Sequence, residues 1–236
     1  MNAKAVIAGL VLALGYWIAT SAASLHVAPV SVQMAPGQSA ATMTLRNDGD
    51  KPMRAQVRVF AWSQANGEDV LGATQALIAS PPMIDVAPQA TQTIRFVRAS
   101  KSPAVQEESF RVLIDEIVEP STTPGAAVNV QLRYSVPVFV SAAGMKPPRL
   151  TLTANVVGQS LQMKVQNSGG HHAKLSGVTL LNAAGDAVTL EPGLLGYVLV
   201  GRHMEWKLAL PPEDAAKGPF VTLHCRVNGE DFSIKL

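Results

Sequence analysis

The segment "VNVQLRYSVPVFV", from Val128 to Val140, alternates between apolar and polar residues more strictly than any other part of the chain. Apolar residues stand at every second position, which predicts a β-strand with one apolar face. The run is more than twice the usual strand length of roughly 5–6 residues, and it contains Pro137. Because proline cannot donate a backbone hydrogen bond, it is tolerated mainly at sheet edges. The segment therefore predicts a long, apolar edge strand.

Such a strand invites pairing with another chain, because its backbone groups are unpaired and its apolar side chains gain from burial. Arg133 is the only charged residue in the segment, so the apolar positions Val128, Val130 and Leu132 are left intact. We expect either a loop of the same protein or a partner to cover them. Self-association of the free protein through this edge is a further hypothesis.

The rest of the chain also reads as short strands. Runs rich in Val, Ile, Leu, Thr and Phe recur between turns that contain Gly, Pro, Asn or Asp. This pattern predicts an all-β fold made of antiparallel sandwiches. Gly144, Pro147 and Pro148 interrupt it, so we expect two sandwich domains, residues 24–144 and 145–236. The long strand closes the first domain.

The first 23 residues differ from the rest. Lys4 precedes an apolar stretch that ends in the small residues Ser21, Ala22 and Ala23. This order is typical of a secretory signal peptide and predicts export with cleavage after Ala23. An uncleaved membrane anchor is the alternative interpretation.

Composition limits the classes of function. Among 236 residues 47% are hydrophobic and 15% are charged, and the formal net charge is +2. Lys and Arg form no basic stripe, so nucleic acid is not an expected partner. Cys225 is the only cysteine, which excludes an intrachain disulfide, and we expect it to be a small buried apolar residue.

No catalytic or metal-binding pattern stands out. His171 and His172 lie in a Gly-rich turn without a Cys, His or carboxylate cluster at ligand spacing. Asp115 and Glu116 are neighbours in a predicted strand, so their carboxylates should point to opposite faces. A Gly-x-Ser-x-Gly motif is missing as well. We therefore expect no enzymatic activity, metal or cofactor, and keep an exported enzyme or metal carrier as a minor alternative.

A second motif, "SPPMIDVAPQATQTIRF" from Ser80 to Phe96, resembles the PapD-like periplasmic pilus chaperones. The resemblance is carried by the pair Pro81 and Pro82, the turn at Pro88, and Arg95 after an aliphatic residue. The long strand stands where that family closes its first domain. The resemblance implies two immunoglobulin-like β-sandwich domains set at an angle, and a location in the periplasm.

The resemblance also implies a function. Chaperones of this family bind pilus subunits that lack their last strand and lend them a strand of their own, which is a form of β-augmentation. The lent residues would be Val128, Val130, Leu132 and Tyr134. The implied partners are a pilus or fimbrial subunit and an outer-membrane usher. The alternative is a structural component of a surface fibre, such as a two-domain pilin or adhesin.

This chain departs from the family at one functional position. Well-known members hold the terminal carboxylate of the subunit with an arginine and a lysine, whereas the matching positions here are Ser31 and Pro137. A buried carboxylate still needs a cation or several donors. Arg95 and Arg133 are the predicted replacements, with Arg98 behind them, and an ion pair between Arg95 and Glu108 is the alternative for Arg95. The lone Cys225 and the segment "RYSVPVFV" resemble the archaic, or sigma, branch of the chaperone–usher systems.

Overall fold

The computed structural model of the protein describes residues 25–117 and 131–236. The predicted signal peptide, residues 1–23, and the predicted donor residues Val128 and Val130 lie outside these ranges. In the described part the regular secondary structure is all β-strand apart from one short helix, so the predicted all-β class is confirmed. No helix in that part is long and apolar enough to cross a membrane.

Strands β1 to β10 form two sheets that face each other. One sheet has the order β1-β3-β8-β6, and the other has the order β2-β10-β9-β4-β5 with β7 beside β4. The chain passes from one sheet to the other between β1 and β2. The strands are β1 Leu25–Ala28, β2 Val32–Met34, β3 Ala40–Asn47, β4 Met53–Ala65, β5 Glu68–Ala73, β6 Leu77–Ser80, β7 Met83–Val86, β8 Thr91–Arg98, β9 Glu108–Ile117 and β10 Arg133–Val140.

The core of this first sandwich follows from strand alternation. On β10, Val136, Val138 and Val140 point inward and are buried, as the sequence pattern predicts for the second half of the long segment. Ile114 of the neighbouring strand β9 and Phe96 of β8, in the facing sheet, fill the core and are fully buried. Each such side chain contributes about 1.5–3 kcal/mol when it is fully buried.

Strands β11 to β17 form the second sandwich, with sheets β11-β12-β15 and β14-β13-β16-β17. Cys225 lies in its core with no exposed surface, as predicted, and burial raises the pKa of its thiol to about 11. The elements are β11 Leu150–Val157, β12 Ser160–Asn167, β13 Ala173–Asn182, β14 Ala187–Val198, β15 His203–Ala209, α1 Pro212–Ala215, β16 Phe220–Val227 and β17 Glu230–Lys235.

An aromatic cluster joins the two domains. Trp62 of β4 and Phe139 of β10 pack with Tyr197 and Leu199 of the second domain, and all four are buried. Gln64 adds two hydrogen bonds across the junction: its amide donates to the Tyr197 carbonyl at 2.8 Å, and its oxygen accepts from the Leu199 N–H at 2.9 Å. The junction therefore combines apolar packing with two oriented hydrogen bonds. The Gln64 amide can make both bonds only when the two domains keep this relative position.

Two further contacts cross the same junction. At the tip of the β4–β5 hairpin, the Gly67 carbonyl accepts a hydrogen bond from the Glu205 N–H of β15 at 3.2 Å. Glu107, which precedes β9, accepts the His172 backbone N–H at 2.8 Å and lies 3.0 Å from His172 Nδ1. These contacts hold the end of β10 that carries Phe139 against the second domain.

Candidate functional site

The first half of β10 is an open sheet edge. Strand β9 pairs with β10 along its full length, from Arg133 to Val140. On the other side, β2 pairs in parallel with Val138–Val140 only. Among residues 25–117 and 131–236 no other strand pairs with this side, so Arg133–Pro137 carries unpaired backbone groups there. The edge position predicted from Pro137 is confirmed, because β2 begins to pair one residue after the proline.

The inward face of this open edge is apolar. Leu132 and Tyr134 are half-buried and pack against the core of the first domain. The Tyr134 hydroxyl donates a hydrogen bond to the Leu25 carbonyl of β1, in the opposite sheet. Burial and the nearby charge of Glu116 raise the pKa of Tyr134. Leu132 and Tyr134 therefore continue the inward-facing row of buried valines of β10, where this row reaches the open edge of the sandwich.

Ser31 and Pro137 lie together at the inner end of the edge. The first register pair of β2 and β10 is Val32 with Val138, and each of the two residues directly precedes its member of that pair. The structure therefore brings together the two positions at which the family resemblance implies a basic pair. Neither residue can supply a positive charge.

Arg95 is exposed on β8 and lines an open groove of about 490 Å³ beside Ser31 and Thr42. Among the described residues its guanidinium makes no ion pair. The alternative pairing of Arg95 with Glu108 is wrong, because Arg98 holds Glu108 with two hydrogen bonds of 2.6 and 2.8 Å. Side chains at positions 95 and 98 of a strand point to opposite faces, and only Arg98 reaches Glu108. Arg98 is therefore already neutralised.

Arg133 is also paired within the protein. Its guanidinium binds Asp115, and Asp115 binds Arg58 at 2.7 Å as well. Burial alone raises the pKa of Asp115, but the hydrogen bonds from Arg58 and Arg133 outweigh that effect and leave the pKa below its usual value. Glu116 points the other way, and its carboxylate accepts the Leu132 N–H at 3.3 Å. The predicted opposite orientation of these two carboxylates is confirmed.

The sequence analysis did not single out Arg111, which lies directly opposite Pro137 in the β9–β10 register. Its guanidinium carbon lies 3.6 Å from the ring centroid of Trp62 and 5.3 Å from that of Tyr197. Burial lowers the pKa of Arg111, and the charges of Asp69 and Tyr197 oppose this effect. Alternation in "SFRVLIDEI" places Arg111 on the outward face, but its position beside Pro137 depends on strand pairing and is not visible in the sequence.

The histidine pair has a structural contact. His171 Nδ1 and His172 Nδ1 lie 3.3 and 3.0 Å from the Glu107 carboxylate, and the His172 ring stacks on Phe139. Within residues 25–117 and 131–236, no group of three or more His, Cys, Asp or Glu side chains could hold a metal ion.

A family model for pili and flagellar-assembly chaperones, the PapD N-terminal domain, matches residues 24–146. No match was found among curated protein sequences. Many solved structures share the fold.

Three of these structures illustrate the similarity. A chain of the CsuC–CsuE chaperone–tip adhesion subunit complex from the archaic chaperone-usher Csu pili of Acinetobacter baumannii is 20% identical, with a TM-score of 0.67 over 90% of this chain and 98% of that one. A chain of the SafA pilin–SafB chaperone complex of Salmonella enterica is 21% identical, with a TM-score of 0.63 over 92% and 99%. The YadV chaperone is 15% identical, with a TM-score of 0.62 over 90% and 99%. At these identities the likeness concerns the two-domain β-sandwich fold.

Proposed function

Because the chain belongs to the family of pili and flagellar-assembly chaperones that the PapD N-terminal domain defines, we propose that it binds pilus subunits through β10 and delivers them to an outer-membrane usher. The subunit would add a strand to the free edge of β10 and receive its apolar side chains in return, which is donor-strand complementation. The role requires no catalysis, metal or cofactor.

One observation carries this proposal. The open edge at Arg133–Pro137 combines unpaired backbone groups with the half-buried apolar side chains of Leu132 and Tyr134. Backbone hydrogen bonds give such an edge affinity for an extended segment, and alternate side chains give it specificity. Val128 and Val130, which continue the pattern in the sequence but lie outside the described residues, are the proposed remaining donors.

The location and domain limits belong to the same proposal. A chaperone of pilus subunits acts in the periplasm, which agrees with export by a signal peptide that is cleaved after Ala23. We propose residues 24–144 as the domain that donates the strand and residues 145–236 as the second domain. The assignment to the archaic branch is supported by the likeness to the Csu complex.

The proposed anchor for the end of the subunit is a cation near Ser31 and Pro137. Arg95 suits this role better than Arg133, because Arg95 has no ion pair in the described part of the chain and lines the groove beside Ser31. Arg133 shares Asp115 with Arg58. A cation that is already paired would have to lose one carboxylate before it could bind another.

Co-expression with the pilus subunits of the same organism tests the proposal. We expect a soluble complex of one chaperone and one subunit in the periplasm, and we expect Leu132→Glu to abolish it, because the added charge would enter the apolar contact with the subunit. Leu132 also packs against the core of the first domain, so the melting temperature of the free variant must match the wild type for the loss to count. Ile78→Glu is the matched control, since Ile78 is an exposed apolar residue on β6, in the other sheet. A chaperone that forms no complex, or a Leu132→Glu variant that binds as well as the control, overturns the proposal. Exposure of the mature protein at the cell surface would instead favour a fibre component.

A further inference from the structure

Strand β11, at one edge of the second domain, lacks the features that usually keep sheet edges from pairing with other chains. It pairs with β12 on one side, and no strand in the described part of the chain pairs with its other side. Charged residues, proline or short length normally protect such an edge. Leu150–Val157 has eight residues, none of them charged and none of them proline. Among the described strands that end a sheet, every other one of six residues or more carries a charged residue.

An apolar groove lies beside this free edge. Val156 faces inward, because its register partner on β12 is the fully buried Leu161, yet Val156 is 39% exposed. A groove of about 450 Å³ opens at this point, and its lining includes Val156, Leu210 and Phe220. The sandwich is therefore open on the side of β11, and an apolar side chain from an added strand would be covered there.

A second copy of β11 fits this edge. Because the strand carries no charge, two copies can pair along it without like charges facing each other. Antiparallel pairing around a two-fold axis at Thr153 keeps residues 150–156 of both copies paired. Leu150 of the second copy then lies opposite the exposed Val156, and Leu152 lies opposite Ala154. Every inward-facing position of the pair therefore meets an apolar residue.

The outward face of the same pairing is polar. Thr153 lies opposite Thr153 of the second copy, and Thr151 lies opposite Asn155. All three residues are exposed in the single chain, so nothing in the described part of the chain covers this face of the edge. Hydroxyl and amide side chains that face each other across a strand pair can form hydrogen bonds. The two faces of β11 therefore suit the two faces of its own copy.

The ends of the paired strands are complementary in charge. Arg149 directly precedes β11, is exposed and makes no ion pair within residues 25–117 and 131–236. In the two-fold pairing it lies opposite Val157 of the second copy. Helix α1, which carries the exposed Glu213, borders that end, because its Ala215 lines the apolar groove. The two-fold axis repeats this approach of opposite charges at both ends of the interface.

We propose that two copies of this protein associate through β11, in an antiparallel pair that joins the sheets β11-β12-β15 of both copies into one continuous sheet. The interface is isologous, because each copy contributes the same residues. One strand edge buries less area than the roughly 1,200–2,000 Å² of a stable interface, so the dimer is weak and depends on concentration. Strand β10 is not part of this interface, and the inference does not depend on the proposed function.

Sedimentation velocity of the purified protein from about 1 μM to about 1 mM tests the inference. We expect a shift from monomer to dimer as the concentration rises. Thr153→Lys places two like charges opposite each other on the two-fold axis, so it should weaken association about fivefold or more. Thr93→Lys is the matched control and should associate like the wild type, because Thr93 is exposed on β8, which has a neighbour on both sides.

A mixing experiment tests the two-fold pairing itself. Thr153→Glu should weaken self-association for the same reason as Thr153→Lys. An equimolar mixture of the two variants should associate at least as strongly as the wild type, since opposite charges face each other only where position 153 meets itself. This recovery also shows that both variants are folded.

Three results would overturn the inference. The first is a wild-type protein that stays monomeric up to about 1 mM. The second is a Thr153→Lys variant that associates as strongly as the Thr93→Lys control, which would assign the dimer to another edge such as that of β10. The third is a mixture that associates no more strongly than the separate Thr153 variants.

Discussion

Phe139 and His172 stack face to face, with ring centroids 3.5 Å apart and an angle of 6° between the ring planes. Phe139 lies at the inner end of β10, and His172 belongs to the second domain. The orientation of the His172 ring is set by Glu107, whose side chain is 1% exposed. Strand β10 is thus held against the second domain at its Phe139 end, whereas its Arg133 end is an open sheet edge.

Removal of the Glu107 carboxylate should loosen this junction. Glu107→Ala leaves the His172 backbone N–H and ring without their acceptor, and an unsatisfied buried donor costs about 1–3 kcal/mol. We expect the free energy of unfolding, measured in urea, to fall by that order. Glu68→Ala is the control, because Glu68 is an exposed carboxylate on β5. Equal stability of the two variants would contradict a stabilising role for Glu107.

Asp115 should make the first domain sensitive to acid. Its folded pKa lies below the usual value of 3.8, so as pH falls the unfolded chain binds a proton before the folded chain does. The stabilisation is therefore present above about pH 4 and is lost as the pH falls through the folded pKa. We expect Asp115→Asn to lower the free energy of unfolding at pH 7 by about 1–3 kcal/mol, and the difference from wild type to shrink on acidification.

The control for this experiment is Asp85→Asn. Asp85 also has a lowered pKa, caused chiefly by a hydrogen bond from Arg54, but its side chain is 70% exposed. Exposed ion pairs contribute little to stability. Urea denaturation from pH 7 to pH 3 compares the two variants, and a difference between Asp115→Asn and wild type that is independent of pH would argue against the pKa assignment.

Substitution of Gly67 should lower the melting temperature by more than its positive φ angle alone would cause. Its φ angle is +80°, and a Cβ atom there would lie 3.0 Å from Glu205 Cγ in the second domain. Gly37 has the same φ, but a Cβ atom would meet nothing within 4 Å. We expect Gly67→Ala to lower the melting temperature more than Gly37→Ala, because only the former adds crowding at the junction to the conformational penalty. Similar melting temperatures would mean that the hairpin tip moves aside easily.

Cys225 should be unreactive until the second domain unfolds. Burial raises the pKa of its thiol to about 11, so at pH 8 almost no thiolate is present in the folded state. We expect slow reaction with a disulfide reagent such as DTNB in buffer and rapid reaction of one thiol in 6 M urea. Because the chain has one cysteine, the signal reports this site alone. Fast labelling under native conditions would indicate that the core around β16 opens frequently.

Several features were predictable because they depend on local covalent geometry. Side chains of a strand alternate between its two faces, so the buried positions of β10 and the opposite orientations of Asp115 and Glu116 follow from residue order alone. Pro137 lacks an N–H group wherever it is placed, and this predicted the edge. The motif from Ser80 to Phe96 predicted the family, and residues 24–146 match that family's model.

Other features depend on register between segments that are far apart in the chain. Ser31 meets Pro137 because β2 pairs in parallel with β10, and Glu108 binds Arg98 instead of Arg95 because of the side to which each arginine points. Arg111 of β9 is the register neighbour of Pro137 on β10, and its guanidinium contacts Trp62 of β4 on the other side. Both relationships exist only once the three strands are paired. The sequence by itself determined the strands, their apolar faces and the apolar edge, since these need only a period of two. Tertiary structure alone decided which arginines are neutralised internally and that Arg95, beside Ser31, makes no ion pair among the described residues, because ionic contacts require atoms to meet within a few ångströms.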